Sequence, residues 1–149
     1  MIYPFLTAGV FLLDSAVKHF ADTRLGERTK QPRLFGLLTL EKYYNRGAAL
    51  GFLSGRPKLL RGLQAVLMLA LTAAYGFLLR LPGKPLAKTG MALLAGGGAS
   101  NFLDRCTRGY VVDYFHLNIG PKRFRRVIYN ISDLCIFIGT ALTILGAEE

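Results

Sequence analysis

Four long apolar runs constrain the fold of this chain more than any other feature of its sequence. Each is close to the roughly 20 residues that an α-helix needs to cross the hydrocarbon core of a bilayer. The runs are Ile2–Phe20, Gly62–Leu79, Pro85–Leu103 and Val127–Leu145. A soluble domain of 149 residues would not contain several such windows with so little charge. We therefore predict a membrane all-α fold, with one integral-membrane domain over residues 1–149 and four transmembrane helices.

The net charge of +10 indicates which partners the surface meets. The basic residues flank the apolar runs, so anionic head groups of membrane phospholipids are the expected counter-charge. Nucleic acid is not expected as a partner, because no nucleic-acid-binding motif accompanies the charge. The two cysteines, Cys106 and Cys135, lack the spacing of a zinc site or a disulfide framework. The first run has no basic residue before it and is predicted to be a retained helix, not a cleaved signal peptide.

The first apolar run contains an acid and a base four residues apart, Asp14 and Lys18. With the acid first, this spacing favours an ion pair on one helix face. Pairing lowers the cost of placing both charges near the membrane. Two interpretations stay open: Lys18 extends to the interface with Asp14 as its partner, or the pair fixes the helices of an active site.

Two long polar loops separate the runs on one side. In residues 21–58, strand-like residues at Leu34–Tyr44 precede the turn signal Asn45-Arg46-Gly47, which predicts a small hairpin on the membrane surface. Asn45 is either a turn residue only or part of a site. Asp104–Arg126 is predicted to be the second long polar loop. The glycines before it, Gly96–Gly98, predict close helix packing.

Two Asn-x-x-Asp pairs lie at the ends of apolar runs, Asn101 with Asp104 and Asn130 with Asp133. Their spacing predicts that both members of each pair share a helix face. With four spans, both long loops lie on one side, so Asp104, Asp113 and Asp133 can converge there and Asp14 approaches them. Asp22 is the only aspartate without a place in this group.

Two aspartates held close share one proton, because two adjacent negative charges repel each other. The charged member can then take a proton from water, and the neutral member can bind a carbonyl and protonate a leaving amine. A divalent metal held by three aspartates is the main chemical alternative. A Cys106–His116 pairing has no motif to support it.

Four sequence blocks resemble the signal peptidase II family, the bacterial lipoprotein signal peptidases, which are intramembrane aspartic endopeptidases. The blocks are LDSAVK at Leu13–Lys18, NRGAALG at Asn45–Gly51, GGASNFLDRCTRGYVVDYF at Gly97–Phe115 and YNISD at Tyr129–Asp133. The last two, in this order and spacing, are highly specific, and the resemblance covers essentially the whole chain. It implies a small β-cradle between the first and second spans and a short surface helix between the third and fourth.

By this resemblance, Asp113 and Asp133 are the catalytic dyad, and neither metal nor cofactor is needed. The positions that resemble the polar shell orienting the dyad are Asn101, Asp104, Arg105 and Asn130. The positions that resemble the lining of the substrate groove are Asp14, Lys18, Asn45, Gly47 and Ala48. Three residues depart from the usual family pattern: Leu50 replaces the commoner Phe, Ser100 the usual Gly and Ser132 the usual Ala. The Ser132 hydroxyl, beside Asp133, is expected to bond to the dyad and alter its proton sharing.

The implied function is removal of the signal peptide from diacylglyceryl-modified prolipoproteins by cleavage just before the lipidated cysteine. The alternatives are an idle paralogue that binds lipoproteins or lipopeptides, and, less favoured, a metal-dependent lipid head-group transferase. A monomer in the bacterial cytoplasmic (inner) membrane is expected, with both termini cytoplasmic and the active site near the outer face. The charge distribution argues against this orientation: the long loops hold fourteen Lys and Arg, and the other side holds three. The resemblance is the more specific indication, and outer-leaflet anionic lipids would match the basic loops.

Overall fold

The structure is a computed structural model that describes residues 2–26, 29–48 and 51–148. Leu50, one of the departures from the family pattern, lies outside the described residues, as do Met1 and Glu149. The described elements are α1 (Ile2–Arg24), β1 (Gln31–Arg33), β2 (Leu38–Asn45), α2 (Pro57–Arg80), α3 (Pro85–Thr107), β3 (Val111–Leu117), α4 (Lys122–Arg125) and α5 (Ile131–Leu145). The short helix α4 lies between α3 and α5, where a surface helix was expected.

Two of the predicted spans are confirmed as helices long and apolar enough to cross a membrane. They are α2 and the C-terminal segment Ile131–Glu148, which comprises α5 and a 3₁₀ turn. At 23 residues each, α1 and α3 are about 35 Å long and so also long enough to cross. Both contain buried charged residues, which lower their hydropathy. For these two helices, transmembrane placement stays a prediction.

Helix α3 is the centre of the bundle and packs on α1, α2 and α5. Its glycines permit this: a Cβ atom on Gly97 would lie 2.7 Å from the Ser132 carbonyl oxygen, and one on Gly96 would lie 2.6 Å from that of Thr7. The small residues of α3 therefore form a close-packed seam, as predicted. By contrast, α2 buries only Leu60 and Tyr75 inside the protein. Its remaining apolar surface is suited to contact lipid.

Three antiparallel strands in the order β1-β2-β3 form the small sheet. Its third strand comes from the second long loop, so the prediction of a polar loop over Asp104–Arg126 missed a strand. Val111–Leu117 reads VVDYFHL, which is rich in β-branched and aromatic residues and is buried over its first five positions. Asn45 pairs with Val111 and Tyr43 with Asp113. The sheet therefore brings the two long loops together beside the helices.

Helix α5 begins at Ile131, four residues after the predicted start of the fourth span at Val127. Before it, Tyr129 forms a β-bridge with Phe115 of β3. Asn130 has extended backbone angles and caps the helix instead of lying within it. The prediction that Asn130 and Asp133 share a helix face is therefore wrong, because a capping interaction brings them together.

Candidate active site

Asn130 and Asp133 form a reciprocal capping box at the N-terminus of α5. The Asp133 backbone N–H donates to Asn130 Oδ1 at 2.9 Å, and the Asn130 backbone N–H donates to Asp133 Oδ2 at 3.1 Å. Each contact satisfies a backbone donor that a helix start leaves unpaired. The hydrogen bond from the Asn130 N–H fixes the Asp133 carboxylate at the N-terminus of α5.

Asp113 lies on β3, is 2 % exposed and accepts hydrogen bonds from two amides. Asn130 Nδ2 donates to its Oδ1 at 2.7 Å, and Asn45 Nδ2 donates to its Oδ2 at 3.1 Å. Burial, followed by the charge of Asp133, raises the pKa of Asp113 to about 7. Asn130 thus contacts both carboxylates of the predicted dyad, one through its side chain and the other through its backbone.

Asn101 connects Asp133 to the interior of the bundle. Its Nδ2 donates to Asp133 Oδ1 at 3.1 Å, and its Oδ1 accepts from Asn130 Nδ2 at 3.2 Å. The same oxygen accepts from Lys18 Nζ at 2.7 Å. Because two donors bind this oxygen, the Asn101 amide is held with its nitrogen towards Asp133.

Asp104 and Arg105 hold the surrounding backbone in place. Asp104 Oδ2 accepts the Val112 N–H at 3.1 Å, directly before Asp113, and lies 3.4 Å from Lys18 Nζ. Arg105 donates to the Gly47 carbonyl oxygen at 2.7 Å. These two residues therefore attach β3 and the turn after β2 to α3.

The turn at residues 45–48 orients Asn45. The Gly47 N–H donates to Asn45 Oδ1 at 3.0 Å, so the amide nitrogen of Asn45 faces Asp113. Gly47 has no room for a side chain, since a Cβ atom would lie 2.8 Å from the Gly51 backbone. Ala48 closes the turn by donating its N–H to the Phe52 carbonyl oxygen at 2.7 Å. Asn45 is thus both a turn residue and a partner of Asp113.

Asp14 and Lys18 lie fully inside the protein, 0 % and 1 % exposed. They form the predicted ion pair at 2.8 Å. Lys18 therefore does not extend to the interface: its ammonium donates inward to Asn101 and Ser100. Burial places this pair behind the dyad, away from any open surface.

The two serines that depart from the family pattern both contact Asp14. Ser100 Oγ donates to Asp14 Oδ2 at 2.7 Å, and Ser132 Oγ makes a short hydrogen bond to the same oxygen. The expectation that Ser132 bonds to the dyad is wrong, because its hydroxyl points to Asp14 on α1. The Tyr114 hydroxyl donates to Asp14 Oδ1 at 3.0 Å and accepts the Ile131 N–H at 2.9 Å. Burial and the Asp14 charge raise the pKa of Tyr114, which therefore stays a neutral donor.

An open cleft of about 430 Å³ reaches Asp113 from the surface. Besides Asp113, its lining residues come from β2, the segment that follows it and the segment before α5: Tyr43, Asn45, Gly51, Arg126, Val127 and Ile128. The predicted catalytic aspartate on β3 is therefore reachable from outside, whereas Asp14 is not.

In the described part of the chain, no three His, Cys, Asp or Glu side chains converge as metal ligands would. Asp22 lies apart from the dyad, as expected: it accepts the Tyr44 hydroxyl at 2.7 Å and lies 3.4 Å from Arg108.

Tyr114 was not identified as a site residue from the sequence. The signal for it was a tyrosine within an apolar strand pattern, since a buried hydroxyl needs a hydrogen-bond partner.

Comparisons with known proteins agree on one family. The family model described as Signal peptidase (SPase) II matches residues 6–147. A lipoprotein signal peptidase of Aquifex aeolicus is 34 % identical over 97 % of this chain and 84 % of its own length. One from Moorella thermoacetica is 30 % identical over 93 % and 89 %. A solved bacterial membrane enzyme structure superposes with a TM-score of 0.85 at 26 % identity, covering 97 % of this chain and 85 % of that one. The chain belongs to the signal peptidase II family.

Proposed function

We propose that this protein is an intramembrane aspartic endopeptidase that removes the signal peptide from diacylglyceryl-modified prolipoproteins, cutting just before the lipidated cysteine. Asp113 and Asp133 are both attached to one residue, Asn130, and this arrangement is the main support for the proposal. The lipoprotein signal peptidases that resemble this chain supply the substrate class. All the predicted acids are present, which favours the enzyme over an idle binding paralogue.

The chemistry follows from one proton shared between the two carboxyl groups. The pKa of Asp113, raised to about 7, permits a dyad that holds one proton near neutral pH. The ionised carboxylate takes a proton from water, and the water oxygen attacks the scissile carbonyl carbon. The protonated carboxyl donates to the carbonyl oxygen, and a carboxyl proton then passes to the leaving amine as the C–N bond breaks. No metal ion or cofactor enters this sequence.

The surrounding groups keep the dyad in place during these steps. Asn101 and Asn130 bind Asp133, while Asn45 and Asn130 bind Asp113. Amides are neutral, so they orient the carboxylates without adding the positive charge that would hold both ionised. Of the proposed groove residues, Asn45 lines the cleft, and Gly47 and Ala48 form the turn that holds it. Asp14 and Lys18 are buried and support the dyad through Asn101.

The decisive experiment follows cleavage of a diacylglyceryl-modified lipobox peptide by the purified protein in lipid. Asp113→Asn and Asp133→Asn should each lower kcat between about 10² and 10⁴-fold, because each removes an acid–base group. Asp22→Asn is the matched control, since Asp22 is a half-buried aspartate that contacts Tyr44, Arg108 and Lys42 and not the dyad. Chelator should change nothing, and the unmodified peptide should be cleaved poorly.

Each contrary result has a distinct meaning. Undiminished cleavage by Asp113→Asn would refute the aspartic mechanism. Peptide binding without cleavage by the parent protein would support the idle paralogue. Loss of activity on chelation would support the metal-dependent alternative.

The proposed orientation places both termini in the cytoplasm and the cleft near the outer face of the bacterial inner membrane, in a monomer. Reporters inserted at Ser54, an exposed position between β2 and α2, test it directly. A cytoplasmic signal from that position would overturn the orientation and with it the access of an exported precursor to the cleft.

A further inference from the structure

Asp14 is surrounded by an unusually complete set of donors for a carboxylate inside a helix bundle. Its Oδ2 receives Lys18 Nζ, Ser100 Oγ and Ser132 Oγ, and its Oδ1 receives the Tyr114 hydroxyl. These donors come from three elements besides α1's own Lys18: α3, β3 and α5. The carboxylate therefore connects four elements at one buried point.

Two of these donors are the chain neighbours of the proposed catalytic aspartates. Tyr114 follows Asp113 on β3, and Ser132 precedes Asp133 on α5. The Tyr114 hydroxyl also accepts the N–H of Ile131, the first residue of α5. A shift of Asp14 would thus move the backbone on which each catalytic carboxylate is carried.

Ser100 links the same point to the side chain that orients Asp133. Its hydroxyl accepts from Lys18 at 3.0 Å and donates to Asp14. Lys18 in turn donates to Asn101, whose amide nitrogen donates to Asp133. Removing a serine hydroxyl leaves the buried Asp14 carboxylate with one hydrogen-bond donor fewer. We expect Asp14 and Lys18 to shift in response, and the Lys18 ammonium to move away from Asn101.

We infer that Ser100 and Ser132 are positioning residues for the dyad, acting through Asp14 and Lys18. The inference rests on the proposed function of Asp113 and Asp133. Neither hydroxyl touches the dyad itself, so both act by fixing the carboxylate that connects α1, α3, β3 and α5. Their effect belongs to the chemical step and not to capture of the substrate.

Ser132→Ala and Ser100→Ala, each in the full chain in lipid, test the inference by steady-state cleavage kinetics. Each should lower kcat about tenfold and leave KM within about twofold, because the dyad is displaced while the cleft is unchanged. Thr140→Ala on α5 is the control, since the Thr140 hydroxyl bonds only to the carbonyl of Ile136 in its own helix. It should keep the parental kcat.

The double variant distinguishes positioning from a general loss of stability. Both hydroxyls serve Asp14 Oδ2, so Ser100→Ala with Ser132→Ala should lower kcat by at least threefold more than the product of the single effects. Ser132→Ala with Thr140→Ala should be additive. Parental kcat in the serine variants with only a lowered melting temperature would overturn the inference. A rise in KM at unchanged kcat would overturn it as well.

Two further variants keep the test decisive. Ser132→Cys is close in volume but is a weak donor, and it should behave like Ser132→Ala if the hydroxyl matters. Tyr114→Phe removes the donor to Asp14 Oδ1 and should lower kcat at constant KM. It tests the role of Asp14 independently if a serine variant does not fold. Failure of the parent to cleave, or full activity of Asp113→Asn, would overturn the proposed function and this inference with it. An active, Asp113-dependent parent with unaffected serine variants would overturn the inference alone.

Discussion

Asp14 and Asp113 are almost equally buried, yet the structure surrounds them with opposite kinds of partner. Asp14 has a lysine at 2.8 Å and three hydroxyl donors. Asp113 has two neutral amides, and no lysine or arginine nitrogen of the described residues lies within ion-pair distance of it. One carboxylate is fixed as an anion, whereas the other is left where a proton can bind.

Burial alone therefore does not identify a catalytic acid. A fully compensated carboxylate has little chemistry left to perform, because its charge is already matched. An incompletely compensated one beside a second carboxylate has a raised pKa and can exchange a proton. The open cleft reaches Asp113 and not Asp14, which agrees with this division of roles.

Removing the charge that compensates Asp14 should have the largest effect on stability. Lys18→Met leaves the Asp14 carboxylate buried without its cation and should cost about 3–5 kcal/mol in the free energy of unfolding. Denaturation in detergent measures this cost. Lys30→Met is the control, since Lys30 is exposed and pairs with Glu41 only at 3.8 Å; its cost should be below about 1 kcal/mol.

The double variant Asp14→Leu with Lys18→Met separates the effect of the ion pair on stability from its effect on cleavage. Removal of both charges should restore part of the stability lost in Lys18→Met, because no uncompensated charge remains buried. Cleavage should stay low, because Asn101 loses the donor that orients it towards Asp133. Recovery of full activity in this double variant would contradict the supporting role of the ion pair.

Widening the seam between α3 and α5 should have an intermediate effect on stability and should also displace Asp133. The added methyl of Gly97→Ala would lie 2.7 Å from the Ser132 carbonyl oxygen, so the helices must separate next to Asp133. We expect a loss of about 1–3 kcal/mol in stability, together with reduced kcat. Gly76→Ala is the matched control, because a Cβ atom on Gly76 meets nothing within 4 Å. Equal behaviour of the two variants would show that the seam does not position Asp133.

The sequence predicted the parts of this fold that depend on local pattern. Apolar runs located the long helices, and the spacing of Asp14 and Lys18 predicted their ion pair. The predictions failed where contacts between residues far apart in the sequence determine the secondary structure. Val111–Leu117 became a strand because β2 is available as a partner, and Val127–Asn130 stayed outside the helix because Tyr129 pairs with Phe115.

The candidate site shows the same division. The aspartates and asparagines were identified from the sequence blocks, and most of them lie in one hydrogen-bond network. The partner of the Ser132 hydroxyl was predicted incorrectly, because its neighbour along the chain is Asp133 while its neighbour in space is Asp14 on another helix. Which of two nearby carboxylates a hydroxyl meets depends on helix rotation and crossing, which one sequence does not determine.

The smallest predicted effect is a change in the pH dependence of cleavage when Asp113 loses one amide. The folded-state pKa of Asp113, about 7, lies above the ordinary value of 3.8. The stability that this group contributes is therefore complete below about pH 4 and lost as pH rises through about 7. Activity should fall over the same alkaline limb, because the dyad loses its shared proton.

Asn45→Ala should move that alkaline limb of kcat/KM to higher pH. The hydrogen bond from Asn45 stabilises the ionised form of Asp113, so its loss raises the pKa further. Asn118→Ala is the matched control, since Asn118 donates to Gly36 and Thr39 at the far end of the sheet. Its limb should coincide with that of the parent protein. A limb that moves to lower pH in Asn45→Ala would mean that Asp113 is not the group whose ionisation ends activity. The contrast between Asp14 and Asp113 would then no longer separate a structural carboxylate from a catalytic one.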